Sequence, residues 1–191
     1  MPGDRPLWET YQTARHIMAE IDRVLSQVDE AEVDSLVEAI LKANQIIVYG
    51  LGREGLVMRG FAMRMMHLGL KVAVVGDMTT PPLGPGDLFL VSCGPGYLST
   101  VEALMGVAEK AGGNIATITS QPQAPLIQRA HLILHLPAQT MAEKEQSSSE
   151  QAMGSAFEQA MWILFDALIP RLQADLNQTV DDLRGRHTNM E

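Results

Sequence analysis

Apolar positions along this chain follow a helical rhythm first and then switch repeatedly between strand-like runs and helical stripes. Trp8, Tyr11, Ile17, Ile21, Val24 and Val28 lie close to one helical stripe, and Val33, Leu36, Val37, Ile40 and Leu41 form a second, so two helices are predicted over 7–43. Gln45-Ile46-Ile47-Val48-Tyr49 is short and β-branched and ends at Gly50, the pattern of a strand buried on both faces of a parallel sheet. Helix Glu54 to Leu68, strands Lys71 to Val75 and Leu88 to Ser92, helix Leu98 to Ala111, and strands Asn114 to Thr119 and Leu132 to Leu136 follow. This alternation predicts an α/β fold with a doubly wound parallel sheet flanked by helices.

The rhythm breaks at Pro137 to Glu150, where Gln139, Thr140, Glu143, Lys144, Glu145, Gln146 and three serines predict a loop, either a plain connector or a lid. From Gln151 an apolar face of Met153, Phe157, Met161, Leu164, Phe165 and Leu168 predicts a long helix that stops near Pro170. A short helix at Ala174 to Leu183 and a polar tail, Arg184 to Glu191, complete a chain read as one domain over 1–191.

Charge and composition narrow the partners. Fourteen Lys and Arg against twenty-three Asp and Glu give a net charge of −9, which argues against a nucleic-acid surface, because phosphate neutralisation needs clustered cations. The single cysteine, Cys93, has no partner for an internal disulfide, and no apolar run reaches the roughly 20 residues of a membrane span. No charged, apolar leader pattern is visible, so a cytoplasmic location is expected.

Two glycine turns carry the candidate chemistry. Gly50-Leu51-Gly52-Arg53-Glu54-Gly55 follows a strand and opens a helix, a literal G-x-G-x-x-G with Asp77 further on, so a dinucleotide-binding dehydrogenase is one reading. Ser92-Cys93-Gly94-Pro95-Gly96-Tyr97 is a second turn between a strand and a helix. Two such turns suit one small ligand held between them, since each offers helix N-terminal amides to an anion or a hydroxyl. That pairing favours a sugar-type ligand over NAD.

Gly50-Leu51-Gly52-Arg53, Phe61-Ala62-Met63-Arg64-Met65-Met66-His67-Leu68-Gly69, Val75-Gly76-Asp77, Thr80-Pro81-Pro82, Met153-Gly154-Ser155-Ala156-Phe157-Glu158-Gln159 and Arg186-His187-Thr188-Asn189 together resemble the 6-phospho-3-hexuloisomerase family of sugar isomerase (SIS) domains. The resemblance implies a five-stranded parallel sheet, homo-oligomers with sites near subunit contacts, and the interconversion of 3-hexulose 6-phosphate and fructose 6-phosphate through an enediol. It implies no metal or organic cofactor. It makes Glu158 the base and His187 an aid to ring opening or proton relay, and it places Gly52, Arg53, Glu54, Ser92, Cys93, Gly94, Pro95, Gly96, Tyr97 and Leu98 around the substrate. Read from the residues alone, Ser155-x-x-Glu158 is better taken as a helix capping box, and His67 as a packed or hydrogen-bonded helix residue.

The sequence also departs from that family. Glu54 stands where serine is usual, and Cys93, Pro95 and Leu98 replace hydroxyl residues in the second turn. Pro95 further removes an amide donor, and Glu54 adds a carboxylate that would repel a phosphate by several kcal/mol at the intermediate dielectric of a cleft. Three outcomes stay open: an isomerase acting on a sugar with a neutral or cationic end, phosphate held instead by Arg53, Ser99 or Thr100, or a non-catalytic SIS-type binding or regulatory module.

Overall fold

The computed structural model describes residues 7–141, 149, 151 and 153–190. Two helices, α1 (Leu7–Leu25) and α2 (Glu30–Lys42), precede β1 (Ile46–Tyr49), α3 (Gly52–His67), β2 (Val72–Val74), β3 (Leu88–Ser92), α4 (Ser99–Ala111), β4 (Asn114–Thr119), a 3-10 turn (Ile127–Arg129) and β5 (Leu132–His135). Helices α5 (Ser155–Asp175) and α6 (Val180–Gly185) follow. All pairings are parallel and the strand order is β2-β1-β3-β4-β5, the five-stranded doubly wound sheet expected from the sequence.

Strand alternation divides the interior between two faces. Ile46, Val48, Leu88, Leu90, Ala116 and Ile118 point to a core shared with α2, α3 and α5, while Ile47, Phe89, Val91 and Ile115 point to one shared with α4 and the 3-10 turn. On the first face Phe61 of α3 stacks on Phe165 of α5 with ring centroids 4.1 Å apart, which fixes these two helices against each other. The strand order places the topological switch between β1 and β3, whose crossovers run to opposite sides, and such sheets bind ligands outside the carboxyl ends of those two strands. Both glycine turns lie there.

The edges of the sheet are kept short. Strand β2 has three residues, and at the other edge the backbone amide of His135, the last residue of β5, donates to Glu32 Oε2 of α2 at 2.7 Å.

Two expectations about α5 need correction. Pro170 does not end the helix, which continues to Asp175. Residues 166 and 170 both lie on the exposed side, so the Asp166 carbonyl that Pro170 leaves without an amide partner faces water. The helix also begins at Ser155 rather than Gln151, behind Gly154 in the left-handed region at φ 78°, and no side chain caps it. Ser155 is therefore the first helical residue and Glu158 closes no capping box. The box that does form is Thr179 with Asp182, at the start of α6. The predicted connector or lid at 137–150 lies largely outside the described residues.

Candidate active site

The first turn is closed by backbone contact. A Cβ on Gly55 would lie 2.4 Å from the Gly50 carbonyl oxygen, and one on Gly50 would lie 2.9 Å from the Gly55 nitrogen, so these glycines let the end of β1 and the start of α3 cross at van der Waals distance. This packing aims Arg53 and Glu54, both in the first turn of α3, across the switch point.

Glu54 reaches the second turn. Its Oε2 accepts a hydrogen bond from Ser92 Oγ and another, 3.1 Å long, from the Gly94 amide. Alternation along β3 explains the first bond, because Ser92 shares the parity of Leu88 and Leu90 and so faces α3, whereas Cys93 faces the opposite core. The approach is tight. A Cβ on Gly94 would meet Glu54 Oε1 at 2.9 Å and the Phe157 ring at 3.0 Å. Burial pushes the Glu54 carboxyl above the ordinary carboxylate range, the bonds from Ser92 and Gly94 pull it partly back, and the charge of Glu158 adds to the rise.

Glu158 enters from the first turn of α5. Its Oε2 lies 2.5 Å from Arg53 Nε, with Arg53 60% exposed and Glu158 13% exposed, so a nearly buried carboxylate is anchored by a guanidinium open to solvent. The contact is an ion pair without good hydrogen-bond alignment, since the same oxygen lacks a well-formed hydrogen bond. Burial raises the Glu158 carboxyl from its ordinary value, and the nearby Arg53 opposes that rise.

The rest of the second turn is held by the protein itself. The Gly94 carbonyl accepts from the Ser120 amide at 3.1 Å and from the Ser120 and Thr119 hydroxyls at 3.2 and 3.3 Å. The Gly96 amide donates to the Cys93 carbonyl at 3.0 Å. The Cys93 thiol is fully buried among Val101, Met105 and their neighbours, and burial pushes it up to about 12. Pro95 is half-buried in the turn, Leu98 is the N-cap position of α4, and exposed Tyr97 donates its hydroxyl to Glu102 Oε2 at 3.0 Å.

A profile of the SIS domain matches residues 39–169. The chain belongs to the SIS domain family. It is similar to the 3-hexulose-6-phosphate isomerase of Mycobacterium gastri, 37% identical over 172 residues covering 90% of this chain and 86% of the relative. It is also 32% identical to the 3-hexulose-6-phosphate isomerase of Bacillus subtilis over 96% of this chain and all of the relative. Among solved structures it resembles a Methanococcus jannaschii protein, described as hypothetical with an inferred 3-hexulose-6-phosphate isomerase function, at a TM-score of 0.81 and 30% identity over 94% of this chain and 99% of that one.

Within this SIS chain the expected site residues do not all meet. Arg53, Glu54, Ser92, Gly94 and Glu158 are brought together at the switch point. His187 is not among them. Its ring stacks on His67 with centroids 5.2 Å apart, and Arg186 donates to the His67 carbonyl at 2.9 Å, so the tail docks on the far end of α3. Arg53 and His67 are fourteen positions apart on α3, about 21 Å at a rise of 1.5 Å per residue. Phe157, which packs on Gly94, is not among the expected site residues; in the sequence it reads as part of an apolar helix face and of the motif that carries Glu158.

Proposed function

We propose that this SIS protein is an aldose–ketose or ketose–ketose sugar isomerase in which Glu158 moves the proton. The observation that carries the reading is the Arg53–Glu158 pair at the mouth of the β1/β3 switch point: a carboxylate 13% exposed, held in place by one cation, and shifted by burial toward neutral pH. A base of that kind can both take and return a proton, because its two forms lie closer in free energy than those of a free carboxylate. The named relatives act on a 3-hexulose 6-phosphate, and the same proton shift is assigned here.

In the direction from a 3-ketose, Glu158 removes the proton on C2 while the C3 carbonyl oxygen gains one, giving a 2,3-enediol. The C2 hydroxyl then loses its proton as its carbonyl forms, and Glu158 delivers its proton to C3. Atoms and charge balance without a redox partner. Arg53 positions the carboxylate by holding one oxygen and leaving the other for the substrate.

His187 serves this chemistry only from another subunit, since about 21 Å of α3 separates it from the pair in its own chain. We therefore assign a homo-oligomer whose sites lie at subunit contacts, with His187 of one copy completing the Glu158 site of another. The test is hydrogen exchange followed by NMR in deuterated water: the native chain should label the carbon beside the carbonyl of its ketose substrate, and Glu158→Gln should slow this by about 100-fold or more. Equal exchange by the variant would show that another group moves the proton.

A further inference from the structure

Glu54 takes up two donors that an anionic ligand could otherwise use. At the end of β3 two donors converge, the Ser92 hydroxyl and the Gly94 amide, and both are given to Glu54 Oε2. The turn supplies little else. Pro95 has no amide hydrogen, the Gly96 amide is committed to Cys93, and the Cys93 thiol faces the opposite core. Glu54 Oε1 has no hydrogen-bond partner among the described residues and is not sealed from solvent, so it is available as an acceptor. Beside it stands a second carboxylate, Glu158, whose charge is matched by the single guanidinium of Arg53.

We infer that Glu54 is the specificity-determining residue of this site and selects a substrate whose far end donates hydrogen bonds, a hydroxyl or an ammonium, in place of a phosphate. The inference rests on the isomerase reading for the word substrate, but its physical content concerns binding. A phosphate entering here would meet a carboxylate where it needs donors, and the two donors at the end of β3 are already given to that carboxylate. A hydroxyl or ammonium would meet an acceptor with a free lone pair on Oε1. Expelling Glu54 to admit an anion would leave a largely buried carboxylate without the two bonds that hold it, an unfavourable exchange.

Calorimetry on the native chain, Glu54→Gln and Glu54→Ser, with fructose, 6-amino-6-deoxyfructose and fructose 6-phosphate, tests this. The native chain should bind fructose or its 6-amino form at least tenfold more tightly than the phosphate, and the better of these two tells hydroxyl from ammonium. Glu54→Ser, which frees the Ser92 and Gly94 donors, should bind fructose 6-phosphate at least tenfold more tightly than the native chain does. Glu54→Gln keeps an acceptor for both donors while removing the charge, so it should weaken the amino sugar most and controls for any folding defect of the serine variant. Native binding strongest for the phosphate, and not improved in Glu54→Ser, would overturn the inference and leave the isomerase reading intact. Binding of none of the three probes by any of the proteins would overturn it as well. Binding in the expected order with no hydrogen exchange from any bound sugar would overturn the isomerase reading while upholding the role of Glu54.

Discussion

Mixing two inactive variants provides a direct measure of whether the site is shared between subunits. Glu158→Gln lacks the base and His187→Ala lacks the imidazole, and each alone should fall to about 1% of native turnover or less if both groups act in proton transfer. In one chain the two positions sit near opposite ends of α3, about 21 Å apart along its axis, so no single sugar reaches both. If each site combines Glu158 of one copy with His187 of another, random reassembly of equal amounts gives half the sites an intact glutamate and half of those an intact histidine. Activity should therefore recover to about one quarter of native in a closed symmetric assembly. The assay is turnover after the two variants are dissociated and reassembled together, with native mass spectrometry reporting the hybrid fraction. Hybrids that form in quantity but stay at the level of the separate parents would refute the shared site, and a chain that stays monomeric at micromolar concentration would refute it sooner.

Three further outcomes follow from the geometry. Glu158→Gln should change unfolding free energy by no more than about 0.5 kcal/mol, because Gly154 and not a capping box starts α5; a loss near 1 kcal/mol in urea unfolding would restore the capping role. Cys93 should resist thiol reagents in the native state at pH 8 and react fully in denaturant, since its thiol is buried and pushed up to about 12; rapid native labelling would mean that the second turn opens. Glu54→Gln should raise the melting temperature most at neutral pH. The folded carboxyl of Glu54 is shifted upward, so its contribution to stability is fully present below the ordinary value of 4.5 and is lost as pH rises through the folded value. The advantage of the variant over the native chain should accordingly shrink as pH falls toward 4.5, and a difference that grew on acidification would contradict the assigned shift.

The parts of the fold that local pattern controls were readable from the sequence. Ile46 to Tyr49 and Leu88 to Ser92 are continuous β-branched or apolar runs closed by turn glycines, and they form adjacent strands as expected. Pro170 and Ser155 depart from the local pattern for the same reason: local propensity favours a helix end at one and a cap at the other, and tertiary context overrides both. Solvent on the outer face of α5 accommodates the proline, and the left-handed backbone of Gly154 moves the helix start past the serine's capping position. The site was readable only residue by residue. Arg53 and Glu158, or Glu54 and Ser92, meet across 105 and 38 positions of sequence, and no local pattern states that one member of each pair is the partner of the other. The family resemblance points to a role for His187, but its distance from Glu158 follows only from where α6 packs.

The contact between Glu32 and the His135 amide has a bearing on solubility. An unpaired strand edge is a template on which other chains can add, and short edge strands and charged side chains are the usual guards against this. Here the guard is supplied from outside the strand, by a helix carboxylate that takes the last backbone donor of β5, while the opposite edge offers only three residues. Glu32→Ala would leave that amide open beside Leu132, Ile133 and Leu134, a run with the composition of fibril-forming segments. The enzyme that emerges from such a change would fold with its active-site turns intact yet shed material into dye-binding aggregates on storage, so the loss would show in shelf life before it showed in turnover.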